Sequence, residues 1–178
     1  MDTPYGSEFD RLVKIHKVNL NGQRVIELGP GGAPKAKVLL ERWGAREYVG
    51  VEPFFIDMTR RRLGLEDERI TLIKTDGLTY LLSQPDNSAV VINCGVICPE
   101  LIRGWFGPYN MDYYRFLGRE IFRVTPYGAA TVSITNRTGE ERDLFFRDHG
   151  FKGTDSIAIY TKPPPNPVLA LPDKSLDA

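Results

Sequence analysis

Cysteine is scarce in this chain: Cys94 and Cys98 are the two present in 178 residues. That number builds no disulfide framework and points to a reducing compartment, with the cytoplasm as the expected location. Histidine is as rare, with only His16 and His149. No Cys/His cluster has metal-ligand spacing, so no metal site is expected, and neither a nucleophile elbow nor a Ser–His–acid set is visible. Neither sign of charge is in excess, since Lys+Arg and Asp+Glu both total 23. Nothing global therefore steers the protein to nucleic acid or to an anionic membrane. No apolar run approaches the length of a membrane span, the N-terminus lacks a signal-peptide pattern, and no internal repeat occurs. What is present is ordinary for a soluble globular protein: 42% hydrophobic and 26% charged residues, in a length suited to one domain with a proper core.

The informative stretch is 24–52. Val25, Ile26 and Leu28 read as a short buried strand that ends in Gly29-Pro30-Gly31-Gly32, too glycine-dense for a regular element. Pro34 stands where a helix would begin, a position that needs no amide hydrogen. Ala36, Leu39, Leu40 and Trp43 follow at helical spacing. After Gly44, the run Tyr48-Val49-Gly50-Val51 stops at Glu52. Strand, glycine loop, helix, strand and acid make one βαβ unit with a nucleotide site at its mouth. The loop and helix N-terminus present free amides, and an acid about twenty positions on can accept both hydroxyls of a ribose. Two ligands fit this pattern, a nicotinamide dinucleotide or S-adenosylmethionine. The dinucleotide pattern wants a glycine at position 34, which is proline here, and Glu27 would oppose a pyrophosphate. A methionine ammonium would instead be attracted to Glu27. The loop favours S-adenosylmethionine.

Glu27-Leu28-Gly29-Pro30-Gly31-Gly32-Ala33 resembles the first motif of the class I S-adenosylmethionine-dependent methyltransferases. Ala33 departs from it, standing where the family has a further glycine. The resemblance extends over roughly residues 20–162 and implies a single doubly wound, Rossmann-like α/β domain. Its sheet would be mostly parallel, with an antiparallel C-terminal edge strand and helices on both faces. The expected organisation is a helical lead-in or cofactor lid over 1–23, the S-adenosylmethionine-binding domain over 24–162, and a Pro-rich tail over 163–178.

Along the chain, 7–17 reads as a helix with a capping box at Ser7 and one face made of Phe9, Leu12, Val13 and His16. His16 and Tyr5 are minor candidates for lining the ligand; the packing alternative for His16 is a core-edge histidine. After Glu52 come Pro53 and Phe54; Phe54 either lies against the adenine face or packs under the next helix, over 56–63. Arg60-Arg61-Arg62 reads as a solvated helix face. A third strand over 70–73 leads to Asp76-Gly77, where the resemblance implies that the acid accepts from the adenine amino group and the next amide donates to the ring. Asp76 is equally suited to cap the helix over 78–83. A fourth strand over 89–92 ends at Asn93 and Cys94, where the resemblance implies that the methyl group points outward to the acceptor.

This strand end lacks the Asn/Asp-Pro-Pro-aromatic motif of enzymes that methylate base amino groups, and Cys98 precedes Pro99 rather than following a proline as in cytosine C5-methylating enzymes. The segment 100–112 is irregular and aromatic. Trp105, Phe106 and Tyr109, with Cys94 and Tyr113, are candidate walls of an acceptor pocket; the same aromatics suit core filling or a dimer surface. Glu100, Tyr109 and Asp112 are the candidate bases should the acceptor be a hydroxyl. Asn110 can cap a helix bearing the stripe Tyr113, Leu117, Ile121 and Val124; Pro126-Tyr127-Gly128 stands where the family has Pro-Gly-Gly before its fifth strand, over 129–135. A capping box at Thr138 opens a helix that Gly150 ends, with His149 as a partner of its C-terminal dipole. The last strand, 156–161, follows so closely that the usual penultimate strand is short or missing.

Together these features predict a methyltransferase whose cofactor contacts are Glu27, Gly29, Pro30, Gly31, Glu52, Pro53, Phe54, Asp76, Gly77 and Asn93. The expected acceptor is a small molecule rather than a nucleic acid, without membrane association. The rivals are a non-catalytic protein or subunit of a complex that binds S-adenosylmethionine or S-adenosylhomocysteine, a nicotinamide oxidoreductase, and a transferase that moves another part of the cofactor, such as an aminopropyl group.

Overall fold

The computed structural model describes residues 4–31, 35–64, 67–94, 111–134, 145–153 and 159–165. Short apolar runs separated by longer connections give parallel strands with helical crossovers. The strands are β1 (Arg24–Leu28), β2 (Glu47–Val51), β3 (Ile70–Ile73), β4 (Val90–Cys94), β5 (Ala130–Ile134), β6 (Lys152–Gly153) and β7 (Ile159–Thr161). They form one sheet in the order β3-β2-β1-β4-β5-β7-β6. Strands β1 to β5 are parallel, and β7 runs antiparallel to both β5 and β6. The antiparallel strand expected at this end is thus one place in from the edge. The penultimate strand is present and two residues long among the described residues. Winding proceeds outward through β2 and β3, then returns to the other side of β1. The crevice this reversal creates lies between the carboxyl ends of β1 and β4.

Side-chain alternation divides the core into two layers. Val25, Tyr48, Val90, Ile92 and Val132 pack with α1 (Pro4–Ile15) and with Leu39 and Leu40 on one face. Ile26, Leu28, Val49, Val51 and Val91 pack on the other with α3 (Gly77–Leu82) and α4 (Met111–Val124). Between β2 and β3 lies α2 (Ile56–Leu63), whose Leu63 joins the first layer. Residues 145–148 are helical and bring Phe145 and Phe146 to the second. The His149 ring nitrogen Nδ1 lies 2.6 Å from the Phe145 carbonyl, in the last turn as expected.

Two helices differ from their sequence reading. The first begins at Pro4, so Ser7 is inside it rather than its cap; proline lacks the amide that a first turn leaves unused. Phe9, Leu12 and Val13 are buried as expected, and His16, beyond the helix end, is half-buried. After the glycine loop, residues 36–37 are α-helical, but Val38–Arg42 widens into a π-helix in which Trp43 N donates to Val38 O at 3.2 Å. The wide turn accompanies burial of both Leu39 and Leu40, and places the Trp43 indole to donate to Asp10 at 2.8 Å.

The edge of the sheet opposite the crevice is locked by two cations. Arg123 donates to the carbonyls of Leu81 and Gln84 and pairs with Asp86 and Glu120, joining the ends of α3 and α4. The buried Lys162 donates to Asn87 Oδ1 and Thr125 O, each at 2.7 Å, with the Phe122 and Tyr127 rings beside it.

Candidate functional site

The carboxyl ends of β3, β2, β1 and β4 stand side by side, and each delivers one of the sequence-predicted groups. At the end of β1 the chain turns through Gly29 (φ +64°) and Gly31 (φ +49°), left-handed conformations that favour glycine. Among the described residues, a Cβ added at Gly31 would meet nothing closer than Gly29 O at 3.9 Å. Backbone conformation, rather than steric closure, therefore requires glycine there. The Gly29 amide donates to Val51 O at 2.8 Å and ties the loop to β2.

Glu52 closes β2 and is almost wholly buried. Its Oε2 accepts from the Gly31 amide at 3.2 Å, while Oε1 accepts from the amides of Phe54 and Phe55 at 3.0 and 3.3 Å. One carboxylate thus latches the glycine loop to the β2–α2 turn. Thr59 completes the latch from α2, its hydroxyl 2.6 Å from Gly31 O. Phe54 and Phe55 project beside it, with Phe54 56% exposed and the two rings edge to face.

Glu27 lies beneath the loop with no exposed surface. Its Oε2 accepts from the Lys35 amide at 2.8 Å and from the Tyr48 hydroxyl at 2.6 Å; among the described residues, Oε1 has no hydrogen-bond partner. Burial raises the Glu27 carboxyl above its ordinary value, against the opposing pull of the Lys35 charge and amide and the Tyr48 hydroxyl. Gly50 pairs with Glu27 across the strands. A Cβ at Gly50 would come within 2.8 Å of Leu72, 3.1 Å of the Tyr48 hydroxyl and 3.2 Å of Pro30. The missing side chain therefore lets Pro30 and Tyr48 approach Glu27.

At the end of β3, Asp76 caps α3 by accepting from Thr79 N at 3.0 Å, and also accepts from the Tyr113 hydroxyl at 3.2 Å. At the end of β4, the buried Asn93 donates to Ser133 Oγ on β5 at 3.2 Å.

No protein-family model matches the chain. A stretch of 84 residues is 33% identical to the polyamine aminopropyltransferase of Agathobacter rectalis, covering 43% of this chain and 29% of that protein. The chain thus spans less than a third of that relative's length. Among solved structures, a S-adenosylmethionine-dependent methyltransferase from Archaeoglobus fulgidus superimposes with a TM-score of 0.59 at 17% identity, over 83% of this chain and 69% of that one. A chain of the Haloferax volcanii complex between the Trm112 methyltransferase activator and a methyltransferase gives 0.57 at 16%, over 83% and 72%. The geranyl diphosphate C-methyltransferase of Streptomyces coelicolor gives 0.54 at 16%, over 73% and 44%. The chain has the S-adenosylmethionine-dependent methyltransferase fold.

Within that methyltransferase fold, the residues brought to one edge are Glu27, Gly29, Pro30, Gly31, Glu52, Pro53, Phe54, Asp76, Gly77 and Asn93. Tyr113, read from sequence as an acceptor wall, reaches Asp76. Asp112 lies on the solvent side of α4, 3.9 Å from Arg115. Glu100, Trp105, Phe106 and Tyr109 lie outside the described residues, as do Cys98, Asn110, Pro34 and the Cys94 side chain. Tyr48, Gly50 and Thr59 were not read from the sequence as site residues. Gly50 carried a signal, a glycine inside an apolar strand; Tyr48 and Thr59 looked like ordinary strand and helix residues.

Proposed function

We propose that the protein binds S-adenosylmethionine across the carboxyl ends of β1 to β4 and transfers its methyl group to a small-molecule acceptor. The observation that carries this reading is the Glu52 latch: a buried carboxylate that faces a glycine loop and is flanked by exposed aromatics. When bound, S-adenosylmethionine supplies a methyl group on a positively charged sulfur leaving group. Glu52 would accept the ribose hydroxyls, Phe54 would cover one adenine face, and Asp76 with the Gly77 amide would meet the adenine edge. Glu27 Oε1, unpartnered among the described residues, is a buried acceptor beneath the loop, and a ligand ammonium is the group that would satisfy it. Asn93 would border the methyl end. The chain's contribution is alignment and exclusion of water rather than a covalent step.

Within this reading, Trp105, Phe106, Tyr109 and Cys94 belong to the acceptor side, with Glu100 and Tyr109 placed by sequence as bases for a hydroxyl acceptor. The balanced charge of the chain supports a small molecule over nucleic acid. A second reading, aminopropyl transfer, is favoured by the 33% identity to the Agathobacter rectalis enzyme. Product analysis separates the two. Incubation with S-adenosylmethionine and a panel of small acceptors should yield S-adenosylhomocysteine by mass spectrometry. A parallel incubation with decarboxylated S-adenosylmethionine and a polyamine that yields methylthioadenosine together with the aminopropylated amine would select the second reading instead. Methylated RNA or protein would overturn the small-molecule assignment.

A further inference from the structure

Glu27 sits where a fixed charge is hard to hold. Its register partners are Gly50 on β2 and Ile92 on β4, neither of which carries a charge to it. Side-chain alternation puts it on the sheet face of Val25, Tyr48 and Ile92, to which α1 contributes Phe9, Leu12 and Val13. The titratable groups that face it are Tyr48 from β2, through its hydroxyl, and Lys35 from the segment after the glycine loop, through its charge. The Lys35 amide and the Tyr48 hydroxyl both donate to Oε2, and among the described residues Oε1 has no partner.

A carboxylate out of water and bare on one oxygen is costly. Burial keeps the carboxyl above its ordinary value, because the Lys35 charge and the two donors offset only part of that cost. A proton relieves the rest. Both donors already point at Oε2, so the proton belongs on Oε1. A ligand ammonium needs that same atom as an acceptor, and a protonated Oε1 would set donor against donor. Oε1 can hold a proton or receive an ammonium, but not both. Tyr48 confines the choice to that atom: it reaches Oε2 through the space Gly50 leaves, where a Cβ would stand 3.1 Å from the hydroxyl.

We propose that cofactor binding is an exchange at Glu27: the O–H bond on Oε1 breaks, the proton leaves to the buffer, and the ammonium of the methionine moiety takes its place. The site thereby responds to acidity. The empty site holds the proton and the filled one does not, so acid favours the empty site and cofactor affinity rises with pH. The proposal rests on the S-adenosylmethionine reading above. Its test is calorimetric titration of wild type, Glu27→Gln and Tyr48→Phe with S-adenosylhomocysteine and with methylthioadenosine, which lacks the ammonium. Buffers of different ionisation enthalpy are used between about pH 5 and 7, where an α-ammonium stays charged. The dependence of the heat on the buffer counts the protons released.

Wild type should release up to about one proton per S-adenosylhomocysteine, with affinity rising by as much as about tenfold per pH unit, and none with methylthioadenosine. Glu27→Gln should bind S-adenosylhomocysteine without proton release and without that pH dependence. Tyr48→Phe keeps the ring but takes a donor from the charged carboxylate, so its release should move to higher pH. A purely structural role for Tyr48 would weaken binding without moving the release. Binding of S-adenosylhomocysteine by wild type with no proton released across the range would overturn the proposal. So would release that survives in Glu27→Gln or that occurs equally with methylthioadenosine. Failure of wild type to bind S-adenosylhomocysteine at all would overturn the cofactor reading itself. Should Glu27→Gln not fold, as judged by thermal melting, release at an unchanged pH in Tyr48→Phe would overturn the proposal.

Discussion

Glu27 and Glu52 are both buried carboxylates at the ends of neighbouring strands, yet their surroundings differ. Among the described residues, Glu52 receives three backbone amides, whereas Glu27 has one oxygen with two partners and one with none. Glu52→Ala should weaken S-adenosylmethionine binding by about tenfold or more, the loss of charged hydrogen bonds worth roughly 1.5–3 kcal/mol. It should also lower the melting temperature, because the Gly31, Phe54 and Phe55 amides lose their acceptor; calorimetry and melting read the two effects separately. Unchanged affinity would exclude Glu52 from the ribose position.

For Glu27 the folded carboxyl is raised above the unfolded value, so the folded state holds the extra proton between the two. Stability from this group is therefore highest below the ordinary carboxylate range. It declines as pH climbs from the unfolded value through the folded one. Melting curves of wild type and Glu27→Gln should converge at acid pH, and wild type should fall relative to the variant as pH rises through that window. Parallel curves would mean that folding does not raise the Glu27 carboxyl above its unfolded value.

At the scale of elements, the glycine loop depends on α2 as much as on β2. Thr59 brings its hydroxyl to Gly31 O from a fully buried position. Thr59→Val keeps the shape and removes that bond, so it should cost about 0.5–1.5 kcal/mol of stability. It should also weaken cofactor binding by a few-fold, to be read by melting and titration. A variant with weakened stability but full affinity would show that the loop holds its shape without α2. This contact illustrates where sequence reading stops. The apolar runs of β1 to β4, the positive-φ glycines and the acid after β2 announce themselves locally, since each depends on its own neighbours. Thr59, Tyr48 and Tyr113 act on residues 28, 21 and 37 positions away, and no local pattern marks such partners. The π-helical turn is similar: the spacing of Ala36, Leu39, Leu40 and Trp43 suits an ordinary helix, and only contact with Asp10 on α1 distinguishes the observed one.

For the molecule as a whole, one sheet carries a chemical edge and a structural edge. The βαβ unit, the mostly parallel sheet and the helices on both faces were legible because buried parallel strands with helical crossovers leave few arrangements. The lock at the opposite edge was not. Lys162 looks in sequence like one more charge before a proline run, but it is buried and capped by Asn87 and Thr125. Lys162→Met should leave those acceptors unsatisfied and cost about 2–4 kcal/mol. Thermal melting should register that loss, while cofactor affinity at low temperature stays at the wild-type value. A matching loss of affinity would mean that the two edges are coupled through the sheet.

The central claim is that the four strand ends hold S-adenosylmethionine. Calorimetric titration of the purified protein with S-adenosylmethionine, S-adenosylhomocysteine and NADH tests it most directly. Binding of the first two and not the third is the predicted result; binding of NADH alone, or of none of the three, would contradict it.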